Sequence, residues 1–316
     1  MRFPPRLADF LAGNGDSLRI FKSGPATQAL IAASVLRQGR SVVWILPSER
    51  EARAARALLG LFLGEGGEDG VDPRRIVFLP EYRAGRPDPR EWAARWAALS
   101  ALTSRSGAQA VIFSADNLLP KWPSPDTAAR AELRLGRGTE ILSEMVLEQL
   151  VLWGYRRTGL VNQPGEMSMR GDILDVFVPG FEHPARLEFF GDTLDEIRLF
   201  SAQTQRSQAD LAEIALVPTA PALHTPDELE ETLSRLARFK TAGRINAAAL
   251  ERFSRALAES DGFVWPGLAY AEPARLADYL PPDAVHLISG GASLREKMEE
   301  TLWGWQEFLQ KMREDQ

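Results

Sequence analysis

The run Ser41-Val42-Val43-Trp44-Ile45-Leu46, closed by Pro47-Ser48, decides the fold class. It is rich in β-branched and aromatic residues and shows no polar alternation, so it reads as a strand buried on both faces, as parallel strands covered by helices are. Ser48 is placed to cap a helix over Glu49–Leu61. Upstream, Leu18-Arg19-Ile20-Phe21 reads as a short strand, followed by the turn Lys22-Ser23-Gly24-Pro25 and an Ala/Leu-rich helix from Ala26 to Leu36. Downstream come a Gly/Glu-rich loop (Gly64–Gly70), a strand at Arg75–Leu79, a helix at Arg90–Leu102 and a strand at Ala110–Ser114. Strands alternating with helices imply an α/β fold with a parallel, doubly wound sheet.

The pattern changes from Leu133. A helix over Ser143–Trp153 leads into short strands divided by Gly165, Gly171, Pro179-Gly180, Pro184 and Gly191-Asp192. Such close spacing with tight turns predicts an antiparallel sheet running to about Ala215. Leu216-Val217-Pro218 and the Pro-rich stretch to Pro226 read as a return towards the first domain. Helices follow at Asp227–Phe239 and Ala247–Glu259, then a strand at Ala284–Ile288 and a long closing helix. Leu294, Met298, Leu302, Trp305, Leu309 and Met312 form one apolar face along that helix. The expected domains are therefore 1–132, 133–217 and 218–316. The ending Glu314-Asp315-Gln316 fits a cut from a longer protein and a natural terminus alike.

Composition narrows the chemistry. The 316 residues include no cysteine, which excludes disulfides and thiol sites, and three widely separated histidines without ligand spacing, so no metal site is expected. A formal charge of −6 disfavours stable DNA binding by this chain alone, because phosphate-backbone binding draws on a positive excess. No signal peptide or bilayer-spanning apolar run is present, so a cytoplasmic setting without membrane partners is expected.

The turn before the second helix stands where a phosphate-binding loop would sit. Such a loop needs G-x-x-x-x-G-K-[ST], so that backbone N–H groups wrap the phosphates, lysine offsets their charge and a hydroxyl meets Mg²⁺. Lys22-Ser23-Gly24-Pro25-Ala26-Thr27-Gln28 lacks the second glycine and the Lys-Ser/Thr pair, and Pro25 removes a donor. The strand Val285-His286-Leu287-Ile288 runs into Ser289-Gly290-Gly291, without the acid that would hold Mg²⁺. No ATP hydrolysis and no cofactor are expected here. An anion resting on the free N–H groups near Ala26–Gln28 and an ordinary strand-to-helix turn both remain open.

The informative surface is Gly165-Glu166-Met167-Ser168-Met169-Arg170-Gly171-Asp172-Ile173-Leu174-Asp175-Val176-Phe177 with Ala185-Arg186-Leu187-Glu188-Phe189-Phe190-Gly191-Asp192. Alternation along a strand puts Ala185, Leu187 and Phe189 on the core side and Arg186, Glu188 and Phe190 on the other. All six cations between residues 151 and 210 are arginine, a residue suited to bidentate interface pairing. Two readings stand at this point: a docking surface, or arginines that pair with the nine acids of the same stretch while Phe190 covers a sheet edge.

These residues also carry a resemblance. Gly154-Tyr155-Arg156-Arg157, Pro164 through Phe177, Pro184 through Asp192, Ile197-Arg198-Leu199-Phe200 and Thr204-Gln205-Arg206-Ser207 resemble the second domain shared by UvrB and the transcription-repair coupling factors. Weaker similarity lies in Leu79-Pro80-Glu81-Tyr82, Pro87-Asp88-Pro89 and Leu276–Ala284. The resemblance implies a degenerate P-loop-type parallel-sheet domain with an inserted, mainly antiparallel α+β domain like UvrB domain 2. It implies a non-catalytic adaptor that binds UvrA, with Arg170, Arg186 and Phe190 as contacts, and so brings excision repair to stalled RNA polymerase. Polymerase, DNA, ATP and Mg²⁺ would be bound by further carboxy-terminal domains of such a factor, those of an ATP-dependent translocase. The alternative is a UvrB-like, ATP-dependent protein that processes damaged DNA.

Overall fold

The computed structural model describes residues 4–12, 17–64, 75–81, 88–104, 107–221, 223, 226–259, 270 and 272–314. The chain divides into two compact units: Met1–Phe78 with Arg105–Ala115 and Leu280–Glu299, and Leu79–Ser104 with Asp116–Tyr279 and Glu300–Gln316. The segment 133–217 lies wholly within the second.

The first unit is built on a sheet of β1 (Val42–Leu46), β2 (Ile76–Leu79), β3 (Ala110–Ser114) and β12 (Val285–Ile288), in the order β12-β1-β3-β2. β1 pairs parallel with both β12 and β3. Every residue of β1 and β3 is buried, as the unbroken apolar run requires. Helices α2 (Pro25–Arg37) and α3 (Glu49–Leu63) cover the sheet through Ile31, Val35, Ala52 and Leu59, which pack on Val42 and Trp44. Ser48 caps α3 by accepting from Glu51 N, and Gly64 ends it in the left-handed region.

Leu18–Phe21, expected as a strand, forms none. Both edges of β1 are taken, by β12 and β3, so it is the later strand that fills the place beside β1. Only Leu18 packs against the core, while Phe21 is 83% exposed, so too little apolar surface is buried to hold a strand. At the start of α2 the Gln28 amide donates to Ser23 O and Oγ, and its oxygen accepts from Ser289 Oγ at 2.8 Å. Ser289 Oγ in turn accepts from Trp44 Nε1 at 2.8 Å. Side chains thus stitch the carboxyl ends of β1 and β12 to the first turn of α2.

The second unit holds a six-stranded sheet in the order β10-β9-β8-β7-β6-β5. Its strands are β5 (Arg156–Arg157), β6 (Glu166–Arg170), β7 (Ile173–Val176), β8 (Ala185–Phe190), β9 (Thr193–Phe200) and β10 (Ser207–Asp210). All neighbours are antiparallel except β5 and β6. Helix α6 (Ser143–Leu152) covers one face, packing Val146 and Leu150 against Met167, Leu174, Leu187 and Ile197. The helix ends in a Schellman turn: Tyr155 N donates to Leu150 O and Gly154 N to Val151 O, with Gly154 at φ +83°. The strands β4 (Leu133–Gly136) and β11 (Glu213–Leu216) pair antiparallel with Leu133 opposite Leu216, so the segment enters and leaves at one place. A mixed α/β architecture with one parallel and one mainly antiparallel sheet is therefore observed. In the same unit α7 (Pro226–Thr241) and α8 (Ala247–Glu259) pack through Leu236, Ala249 and Phe253. The last helix, α9 (Gly291–Glu314), leaves Leu302 and Trp303 exposed, and the side chains of Trp305, Leu309 and Met312 lie outside the described residues.

Candidate protein-docking surface

Because α6 covers only one face of the six-stranded sheet, the residues alternating with its core form a second, outer face. Register fixes their rows. Ser168, Asp175, Arg186 and Arg198 lie opposite one another across β6 to β9, and Arg170, Ile173, Glu188 and Glu196 form the next row. A bulge after Glu188 then lets Phe190 meet Thr193 across the tight turn Gly191-Asp192. Gly191 at φ +64°, the first of two loop residues, is the requirement of a type II′ hairpin turn, and Gly171 at φ +57° repeats it in the β6–β7 hairpin. Asp172 O accepts from Phe189 N at 2.9 Å, so the two hairpin ends lie side by side.

One half of this face is covered by its own chain. The segment after β5 crosses it, burying Val161 with Phe177 and Phe200 in a small second core. Glu166, 6% exposed, holds that crossing. Its carboxylate accepts from Asn162 N and Gln163 N at 2.9 Å and from Arg156 at 2.5 Å. Burial pushes this carboxyl up, but the backbone donors and Arg156 outweigh it and hold it below the ordinary carboxylate value. Nearby, burial pushes the Tyr155 phenol up, and its neutral hydroxyl donates to Val217 O at 2.9 Å, tying the returning chain to the end of α6.

The three expected contact residues do share the outer face, in different states. Phe190 is 82% exposed. Arg170 is exposed and donates to the Gly159 carbonyl. Arg186 is held: Nε and Nη2 donate to the two oxygens of buried Asp175 at 2.7 and 2.9 Å, and its guanidinium lies 4.9 Å from the centre of the Phe200 ring. That bidentate bond to Asp175 favours the charged guanidinium beyond its usual strength. Arg198 lies directly opposite Arg186 and is served by Glu188 at 3.0 Å and by Glu196, so each like-charged neighbour has its own carboxylate. Arg156, Arg186 and Arg198 thus pair with carboxylates of the same sheet, as the second reading of the arginines has it, while Arg170 and Phe190 face outward. Sequence reasoning missed Asp175, Ile173 and Phe177 on this face, although the alternation already applied to β8 places all three on one side of β7.

Among the described residues no group of histidine and carboxylate side chains is arranged to hold a metal, and no helix is long and apolar enough to cross a membrane.

The UvrB interaction domain family matches residues 133–221, the segment that forms this sheet. The transcription-repair-coupling factor of Myxococcus xanthus is 34% identical over 210 residues, covering 65% of this chain and 17% of that protein. That of Mycobacterium bovis is 29% identical over 312 residues, covering 94% of this chain and 25% of the relative. The Bacillus subtilis factor is 26% identical over 207 residues, covering 61% of the chain and 18% of the relative. The chain thus spans a quarter or less of the length of these curated relatives. With the outer sheet face inside the matched segment and the similarity running along 94% of the chain, the matches support reading this chain as an amino-terminal, UvrB-like module of the transcription-repair coupling factor kind.

Proposed function

We propose that this chain is a non-catalytic adaptor that docks UvrA on the outer face of its six-stranded sheet and so links excision repair to stalled transcription. The observation that carries the reading is Phe190, a large aromatic turned to solvent at a hairpin end inside the segment that matches the UvrB interaction domain. Aromatic and arginine side chains dominate binding hot spots, and a ring held by a tight turn loses little freedom on being covered. Arg170 contributes charge beside it, and Arg186 holds Asp175 and Phe200 beneath the face.

The first unit fits a degenerate P-loop-type fold, and the second a domain like UvrB domain 2 inserted within it. The Gln28–Ser289–Trp44 hydrogen bonds support the first part, since they use side chains where a nucleotide-binding loop would present its backbone. ATP and Mg²⁺, and contacts to RNA polymerase and DNA, belong in this proposal to the rest of a coupling factor, acting in the cytoplasm.

Titrating the cognate UvrA into the chain and its Phe190→Ala variant tests the reading. Wild-type binding with a loss of roughly 1–4 kcal/mol in the variant is expected for a hot spot. Equal affinities, with both proteins folded, would remove Phe190 from the surface.

A further inference from the structure

Two other apolar side chains are exposed in this region, Ile173 beside Phe190 by register and Leu160 next in sequence to the carbonyl that receives Arg170. Ile173, 37% exposed, lies on the outer side of β7 between Arg170 on one neighbouring strand and Glu188 on the other. Phe190 is two residues beyond Glu188 on β8, which makes it the diagonal neighbour of Ile173, within reach of an aromatic ring. Leu160, 43% exposed, follows Gly159, whose carbonyl receives Arg170, and precedes Val161, which is buried on Phe177 and Phe200. The crossing segment that protects the lower half of the face therefore ends its cover at Leu160, beside the Arg170 guanidinium.

Single exposed aliphatic side chains are ordinary on soluble proteins and carry no message. Here register sets Ile173 between Arg170 and Phe190, and a hydrogen bond ties the residue before Leu160 to the Arg170 guanidinium. The charges next to them are already matched: Arg186 by Asp175, Arg198 by Glu188 and Glu196. Arg170, by contrast, has a carbonyl for its partner and no carboxylate among the described residues.

Resting on the docking reading above, we propose that the UvrA-binding surface is an apolar patch of Leu160, Ile173 and Phe190 around Arg170, with Ile173 contributing directly to affinity. The complementary surface of UvrA is then an apolar pocket with a carboxylate facing Arg170. Charge complementarity supports that occupant, because burying Arg170 against a purely apolar surface would leave its cation unmatched.

The test is calorimetric titration of the cognate UvrA against wild type, Phe190→Ala, Arg170→Ala, Ile173→Thr and Leu160→Ser, at low and high salt. Ile173→Thr keeps β-branching and strand preference while removing apolar surface, and its folding is checked by thermal unfolding. The expected result is binding at least about fivefold weaker for Ile173→Thr, by a factor that salt leaves unchanged. The loss in Arg170→Ala shrinks as salt rises, because screening already weakens that pair in wild type. Leu160→Ser, outside the sheet, carries the same expectation should the strand variant unfold. If Ile173→Thr is folded and binds within about twofold of wild type while Phe190→Ala is weakened, the patch is overturned and the docking reading stands. If wild type itself fails to bind UvrA, both fall.

Discussion

Removing the Arg186 side chain is a perturbation of the fold before it is one of binding. Asp175 is 4% exposed and both its oxygens are engaged by Arg186, whose own side chain is 23% exposed and covers the Phe200 ring. Breaking a fully buried ion pair by deleting one member costs about 3–5 kcal/mol, mostly because the remaining charge is left unpaired. The guanidinium here keeps some solvent access, so the cost should fall lower, at about 2–3 kcal/mol. Arg186→Ala should therefore lower unfolding stability in urea by that amount. Arg186→Ala combined with Asp175→Asn should recover part of it, since the orphaned carboxylate is gone. Urea unfolding followed by circular dichroism measures both. An Arg186→Ala protein as stable as wild type would refute the reasoning, as would a double variant less stable than the single one. The consequence for binding work is practical: weaker UvrA binding by Arg186→Ala reports on contact only after the double variant has been compared.

Three further outcomes are expected. Gly154→Ala should destabilise the chain by about 1–3 kcal/mol in the same urea assay, because Gly154 sits at φ +83° and an added Cβ would stand 2.8 Å from the Ala220 Cβ. Glu166 is held below the ordinary carboxylate value, so its stabilisation is present at neutral pH and lost as pH falls through its folded-state value. Glu166→Gln should thus be less stable than wild type near pH 7, with the gap narrowing as pH falls through and below the ordinary carboxylate range, and a gap independent of pH would contradict the role given to the charge. Titration with ATP and Mg²⁺ should give no saturable binding, and a saturable isotherm would revive the UvrB-like alternative.

Local pattern made much of this molecule legible. The unbroken apolar run of β1, the limits of β3 and β8 and the helix after Ser48 all follow from periodicity and capping, which depend on neighbours in sequence. The same two-residue repeat placed Arg186 and Phe190 on one face of β8. The misread strand at Leu18–Phe21 shows the limit: four residues with strand character stayed outside the sheet, because β12, more than two hundred residues later, fills the place beside β1. Such competition between distant segments for one sheet edge leaves no local signature.

The sequence by itself determined which residues alternate across the sheet, the missing phosphate-binding lysine and hydroxyl, and the resemblance that names a partner. Only the tertiary structure decided how the outer-face side chains are spent. Asp175 and Arg186 are eleven residues apart yet directly opposed by register, and the crossing segment, fastened by Glu166, covers Phe177 and Phe200 but stops short of Ile173 and Phe190. Alternation assigns a face. Which part of that face meets solvent depends on what else the chain lays over it, and that is fixed by long-range hydrogen bonds and packing.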